Sequence, residues 1–235
     1  MQMRTLKKEK EVDMKDSLNV IVTGASSGLG KEMYQYFKER GDTVVGISRR
    51  GPDIILDLLR QLSEEEWKNL LEDDFEKIDI LINCAGVLVF DHQDKYLQKD
   101  MLELNLTTVW NTINNLFPLM DSPSNVINIA SVSGMVGEDS ASLYAASKGG
   151  VIALTKSFAK NKKFLDKEIT VNCISPGFFN TNLVAGDAPE ELLERVPLRR
   201  EADPKEILPV IEMILKTPYM TGANIVIDGG LTLCC

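Results

Sequence analysis

The chain has 235 residues, of which 44% are hydrophobic and 26% charged, and a formal net charge of −9. That length suits one fully cored α/β domain and the composition is that of an ordinary water-soluble protein. The acidic balance excludes a nucleic-acid footprint but not an anionic small ligand, because backbone dipoles bind phosphate in acidic proteins too.

In chain order, residues 1–16 are charged throughout, with no apolar run of the signal-peptide kind, and read as a flexible leader; 17–235 read as a single domain. Leu18 to Thr23 is a short buried strand and Gly28 to Arg40 a helix. Thr43 to Ser48 is a strand, with a further strand expected over Ile54 to Leu58. Ser63 to Asp73 is a helix opened by Ser63 and Glu66 at capping-box spacing. Ile78 to Asn83 is a strand, and Lys95 to Met120 a long helical region interrupted near Pro118. Asn125 to Ala130 is a strand, Ser142 to Lys160 a helix and Ile169 to Ile174 a strand. Pro189 to Arg195 and Pro204 to Leu215 are helical, and Ala223 to Ile227 is a last strand.

Apolar strands alternating with helices predict a parallel sheet covered on both faces. The fold class is therefore α/β: a doubly wound, Rossmann-type three-layer sandwich with a mostly parallel sheet of about seven strands. Only Arg49 to Asp53 separate the second and third strands. A parallel crossover ordinarily needs a dozen or more residues. The helix between strands 2 and 3 is thus missing, and the third strand lies at the sheet edge.

The first strand runs into Thr23-Gly24-Ala25-Ser26-Ser27-Gly28-Leu29-Gly30, and a helix follows at once. Glycines let backbone approach a pyrophosphate, and the helix start supplies free N–H groups with a positive dipole end. This strand–turn–helix context makes Gly24, Ser26, Ser27, Gly28, Leu29 and Gly30 candidate dinucleotide contacts. The second strand ends in Arg49-Arg50 with no acid there, which favours NADP(H) over NAD(H), since paired guanidiniums suit a 2′-phosphate.

Tyr144 and Lys148 stand four residues apart in a predicted helix, so phenol and ammonium share one face. A tyrosine pKa of about 10 lies far from neutrality, and a nearby cation is expected to lower it.

The glycine loop together with Tyr144-Ala145-Ala146-Ser147-Lys148 resembles the short-chain dehydrogenase/reductase family, in its single-domain branch. Further marks fall in order: Asp57; Asn83-Cys84-Ala85-Gly86, with Cys84 where the family has a second asparagine; Asn105; Ser131, thirteen residues before Tyr144; Pro176-Gly177 with Thr181; and Thr221-Gly222 through Asp228-Gly229-Gly230. Val196 to Arg200 and Asp203 to Ile207 are similar to segments of the 3-oxoacyl-carrier-protein reductases. The resemblance implies that Ser131 and Tyr144 bind a carbonyl oxygen. Tyr144 gives the proton, Lys148 favours the phenolate and bonds the nicotinamide ribose, and Asn105 holds a relay water. It implies cofactor contacts at Asp57 (the adenine), Asn83, Ala85, Gly86, Tyr144, Lys148, Pro176, Gly177 and Thr181. A small carbonyl or alcohol substrate, self-association as homodimer or homotetramer, and a cytoplasmic location follow as expectations, with no nucleic-acid, membrane or metal partner. An NAD-linked dehydrogenase of a sugar or sugar-nucleotide alcohol and a non-catalytic dinucleotide sensor are the alternatives.

Cys84 and Cys173 lie in apolar runs and are expected to be reduced and buried. His92, the only histidine, reads as a loop residue without a chemical part, and the Cys234-Cys235 tail is given no role.

Overall fold

A computed structural model describes residues 17–71, 77–181, 183 and 190–234. Among them, seven parallel strands form one sheet in the order β3-β2-β1-β4-β5-β6-β7. The strands are β1 (Asn19–Thr23), β2 (Thr43–Ser48), β3 (Ile54–Ile55), β4 (Ile78–Asn83), β5 (Met120–Ile129), β6 (Ile169–Pro176) and β7 (Asn224–Ile227). Helices α1 (Gly28–Arg40) and α9 (Leu208–Leu215) cover one face. On the other lie α2 (Glu64–Leu71), α4 (Thr108–Leu116) and α6 (Ser142–Ala159), preceded by α3 (Lys95–Leu102) and α5 (Ser133–Val136) and followed by α7 (Lys162–Asp166); α8 (Glu190–Leu193) lies between β6 and α9.

The two-residue period of the strands divides the core. Val20 and Val22 of β1 pack with Met33, Phe37, Ile211 and Ile214, whereas Ile21 between them packs with Trp67, Val109, Ile113 and Val151. Both faces are buried, so the strands read as continuous apolar runs rather than alternating ones.

The expected elements recur with three corrections. The third strand is only two residues long, because Asp57 turns the chain into a single 3₁₀ turn by accepting from Leu59 N–H at 3.1 Å. It still joins β2 in parallel and without an intervening helix. The long helical region ends earlier than Met120: Phe117–Leu119 form a 3₁₀ turn around Pro118, and Met120 opens β5. That strand starts five residues ahead of expectation; its register with β4 shifts between Ile78↔Met120 and Ile80↔Asn125, and Pro123 inside this shift masks the strand pattern. The capping box of α2 is present, with Ser63 N–H donating to Glu66 at 2.9 Å and Glu66 N–H to Ser63 Oγ at 3.3 Å. Asp73, the expected end of that helix, and Pro189, the expected start of α8, lie outside the described residues.

Candidate active site

Strand order reverses at β1, whose neighbours are β2 and β4, and ligands of such sheets bind beyond the strand ends at this switch point. Thr23 ends β1 there. Its Oγ1 accepts from the backbone N–H groups of Cys84 and Ala85 at 3.1 and 3.2 Å, tying the loop after β4 to the glycine loop. The glycine loop is anchored behind by Gly24 N–H donating to Ile47 O at 2.8 Å. A Cβ on Gly30 would lie 2.3 Å from Gly24 O, so the turn closes only with glycine there. Ser27 precedes α1 in extended conformation without using its hydroxyl as a cap, and no acidic side chain occupies the first turn. The start of α1 thus keeps N–H donors free for an anion.

At the end of β2, the Ser48 hydroxyl is buried and has no hydrogen-bond partner. An orphaned buried hydroxyl is costly in a finished core and ordinary beside a ligand site. Arg49 and Arg50 follow, both exposed, and neither has a carboxylate partner among the described residues. The short turn that carries them is clamped: Asp53 accepts from Gly46 N–H at 2.7 Å and from the Tyr34 hydroxyl at 3.1 Å. Burial, then Asp53, push the Tyr34 phenol up to about 12, so it stays a donor. This clamp occupies the place of the missing helix. Orphaned Ser48, the α1 donors and two guanidiniums without a carboxylate partner among the described residues fit the adenosine half of a dinucleotide. Asp57 is exposed, with one carboxylate oxygen engaged by Leu59 N–H.

The Asn83 side chain does not face this cleft. It donates to Asn128 Oδ1 at 2.9 Å, and Asn128 donates in turn to Thr155 Oγ1 at 3.0 Å, joining β4, β5 and α6 through a buried chain of amides. A cofactor contact at Asn83 would therefore come from its backbone. Replacing Asn128 by Ala strands the buried Asn83 amide, whereas Thr155 keeps its bond to Val151 O, and is expected to lower stability by about 1–3 kcal/mol, read from the denaturant midpoint.

Asn105 is wholly buried in a single π turn, Glu103–Thr107, between α3 and α4. Its amide is locked on both sides: Oδ1 accepts from Val87 N–H at 2.9 Å, and Nδ2 donates to Val87 O at 2.8 Å and to Ser147 Oγ at 3.3 Å. Both Asn105 Oδ1 and Lys148 Nζ come within 3.4 Å of the point a Cβ on Gly86 would take, so Gly86 is the gap through which these groups approach each other. Both amide hydrogens of Asn105 are thus engaged, while Oδ1 keeps one acceptor lone pair beyond the bond from Val87.

Ser131, Tyr144 and Lys148 come together where β5 ends and α6 begins. All three are buried, Lys148 to 5% exposure. Burial pushes the Tyr144 phenol up, a hydrogen bond with Ser131 pulls it down, and the Glu138 carboxylate pushes it up further. Lys148 sits with Nζ 5.9 Å from the Tyr144 ring centre and donates to Ile129 O at 2.9 Å. Burial brings its ammonium down to about 8. The expected lowering of the phenol by Lys148 is not seen: burial raises it more than the hydrogen bond with Ser131 lowers it. Cys84, half-buried rather than buried as expected, lies beside Lys148, and desolvation holds its thiol up to about 12 against the pull of that ammonium, which leaves an unreactive neutral thiol.

Pro176 ends β6 and accepts from Val132 N–H at 3.1 Å, and Gly177 N–H donates to Ile227 O at 2.9 Å. Thr181 reaches across to the glycine loop, its Cβ 3.2 Å from where a side chain on Gly28 would begin. Hydrogen bonds between Ala202 and both Phe178 and Asn180 close the base of the segment in between. Its return limb, Val196 to Leu198, seats on Gly229 and Gly230, and Asp228 braces that seat by accepting from Gly230 and Thr232. His92 is exposed and stacked on Phe90. Among the described residues no group of acidic, histidine or cysteine side chains is arranged to hold a metal, and no helix is long and apolar enough to cross a membrane.

Sequence reading missed Thr23, Ser48 and Glu138. Thr23 is legible as the residue opening the glycine motif; the other two carry no signal along the chain, since only burial and neighbours single them out.

Residues 18–192 match the family model described as short chain dehydrogenase. The chain is 32% identical over 240 residues to the 3-oxoacyl-[acyl-carrier-protein] reductase of Thermotoga maritima, covering 91% of this chain and 97% of that one. It is 31% identical over 243 residues to the enzyme of the same name from Synechocystis, covering 91% and 96%. Among solved structures, a 4-hydroxyisoleucine dehydrogenase complexed with NADH superposes with a TM-score of 0.77 at 28% identity, over 92% of this chain and 99% of that one. Thermoplasma acidophilum aldohexose dehydrogenase, at 24% identity and a TM-score of 0.80 over 92% and 94%, shares the fold.

Proposed function

The chain belongs to the short chain dehydrogenase family and is an oxidoreductase, and from that premise we propose that it interconverts a carbonyl and a secondary alcohol with NADP(H). One observation carries this reading: a buried, proton-holding Tyr144 bonded to Ser131, with Lys148 on the same helix face, at the switch point of the sheet. The nicotinamide supplies the hydride. Ser131 and Tyr144 offer two hydroxyl donors to a carbonyl oxygen, where negative charge develops in the transition state. Tyr144 transfers its proton to that oxygen. Lys148, low in pKa and held on Ile129 O, offers N–H donors to the cofactor ribose. The loop Asn83 to Gly86, with Pro176, Gly177 and Thr181, walls the nicotinamide half; the glycine loop, Ser48, Arg49, Arg50 and Asp57 wall the adenosine half.

The preference for NADP(H) rests on Arg49 and Arg50, which have no carboxylate partner among the described residues, on a clamped turn. Replacing both Arg49 and Arg50 by Ala is expected to raise KM for NADPH about ten- to a hundredfold, as loss of charge-assisted phosphate contacts does, with far less effect on NADH. Equal affinity of the unaltered protein for NADPH and NADH would sink the arginine argument. That result would favour the second reading, an NAD-linked alcohol dehydrogenase, which the NADH in the 4-hydroxyisoleucine dehydrogenase structure supports. NADPH oxidation measured across a panel of ketones and aldehydes tests the main reading. Tight cofactor binding with no turnover on any of them would point instead to a dinucleotide sensor.

Self-association fits the exposed apolar side chains Tyr96, Leu97 and Trp110 on α3 and α4. A reducing cytoplasm suits the free thiols of Cys84 and Cys173.

A further inference from the structure

The loop between α5 and α6 brings a carboxylate to the reacting groups. Ser133 N–H donates to Ser131 Oγ at 3.2 Å, and the Ser133 hydroxyl donates to Glu138 Oε2 at 3.4 Å. One residue therefore touches both the Ser131 hydroxyl and the Glu138 carboxylate. Gly137, at φ +87°, turns the chain back after α5 and delivers Glu138 to this position. Glu138 is half-buried, and no cation forms an ion pair with it among the described residues. Its field reaches Tyr144, where it opposes the phenolate. Ser133 satisfies one lone pair, and the remaining capacity of an ionised carboxylate is acceptor-only. Nothing in the proton transfer from Tyr144 needs such a group; if anything, it works against forming the phenolate.

We propose that Glu138, held by Ser133 beside Ser131, selects carbonyl substrates bearing a hydrogen-bond donor, a hydroxyl or an ammonium, on the carbon next to the carbonyl. The same group disfavours a carboxylate or phosphate there. This rests on the carbonyl-reductase reading of the same site. The physical basis is twofold. A donor meeting a partly desolvated carboxylate makes a charge-assisted hydrogen bond. A second anion meets like charge in a medium that screens it poorly. A hydroxyl and an ammonium share the donor chemistry and differ in charge, so they can be told apart.

Four methyl ketones differing in one group on the neighbouring carbon make the test: hydroxyacetone, aminoacetone, butanone and acetoacetate. Each is compared by kcat/KM, with NADPH in excess, for the unaltered protein and for Glu138→Gln. The unaltered protein is expected to favour hydroxyacetone or aminoacetone over butanone and to place acetoacetate last. Aminoacetone ahead of hydroxyacetone identifies the ammonium as the preferred donor; the reverse order identifies the hydroxyl. In Glu138→Gln, which keeps size and removes charge, the acetoacetate-to-butanone ratio should rise about ten- to a hundredfold, and the aminoacetone-to-butanone ratio should fall. Ratios that are the same in both proteins overturn the proposal and leave the reductase reading intact. If no ketone is turned over, their dissociation constants from the NADP⁺ complex of the two proteins carry the same comparison. A Glu138-dependent binding order without turnover overturns the reductase reading and upholds the donor selection. No binding and no turnover overturn both.

Discussion

Replacing Tyr144 by Phe is expected to lower kcat by about 10²–10⁴-fold, the usual worth of a positioned general acid, while NADPH still binds. The change removes one oxygen from a side chain that is 6% exposed, so packing hardly alters. What disappears is a proton source whose pKa burial has pushed up and Ser131 has partly brought back. Stopped-flow hydride transfer with the best ketone of the panel reads the loss, and fluorescence titration reads the retained cofactor affinity. Turnover that survives the substitution would show that another group supplies the proton. The same raised pKa makes the two directions differ with pH. Alcohol oxidation needs the phenolate, whose population grows tenfold per unit while pH stays below the tyrosine pKa. Oxidation should therefore climb into the alkaline range, whereas reduction, which uses the protonated form, should not.

Replacing Lys148 by Met is expected to do two opposite things: to lower kcat/KM by about 10²–10³-fold and to stabilise the cofactor-free protein at neutral pH. Lys148 falls from 10.5 to about 8 because it is buried. The folded state therefore binds fewer protons than the unfolded state between pH 8 and 10.5, and unfolding free energy rises with pH across that window. Below pH 8 the cost of the buried ammonium is present in full, on the order of 3 kcal/mol for a shift of this size. Methionine removes that cost but leaves Ile129 O without its donor, which offsets about 1 kcal/mol. A net gain of about 1–2 kcal/mol should appear in denaturant melts at pH 7 and shrink towards pH 10. Saturating NADPH should reverse the order of the two proteins, because the ligand stabilises the form that binds it better. A variant less stable than the parent at pH 7 without cofactor would contradict a desolvated ammonium at this position.

Much of the fold is legible along the chain, and the reason is local. Val20 to Thr23, Ile78 to Asn83 and Val171 to Ile174 are buried residue after residue and mostly apolar because the sheet is covered on both faces. The start of α1 follows from the glycine loop, and its end from Lys38 and Arg40 before a left-handed Gly41. The missing helix after β2 is a matter of counting residues. Where the reading slips, a long-range contact has overridden local pattern. Met120 joins β5 because Ile78 pairs with it, although Pro123 breaks the run between. Asn105 lies in a π turn because Val87, eighteen residues away, holds its amide on both sides.

By itself, the sequence determined the order of the strands and helices, the glycine loop at the end of β1, and the placing of Tyr144 and Lys148 on one helical face. These depend on periodicity and on spacings of a few residues, which are properties of the chain. Only the tertiary structure decided what each of those side chains meets. It turned Asn83 inward onto Asn128, left Ser48 buried without a partner, brought Glu138 to Ser133 beside Ser131 and set the direction in which Tyr144 and Lys148 titrate. Desolvation and choice of hydrogen-bond partner belong to neighbours that folding assembles from distant parts of the chain, as Ile129 and Cys84 do around Lys148.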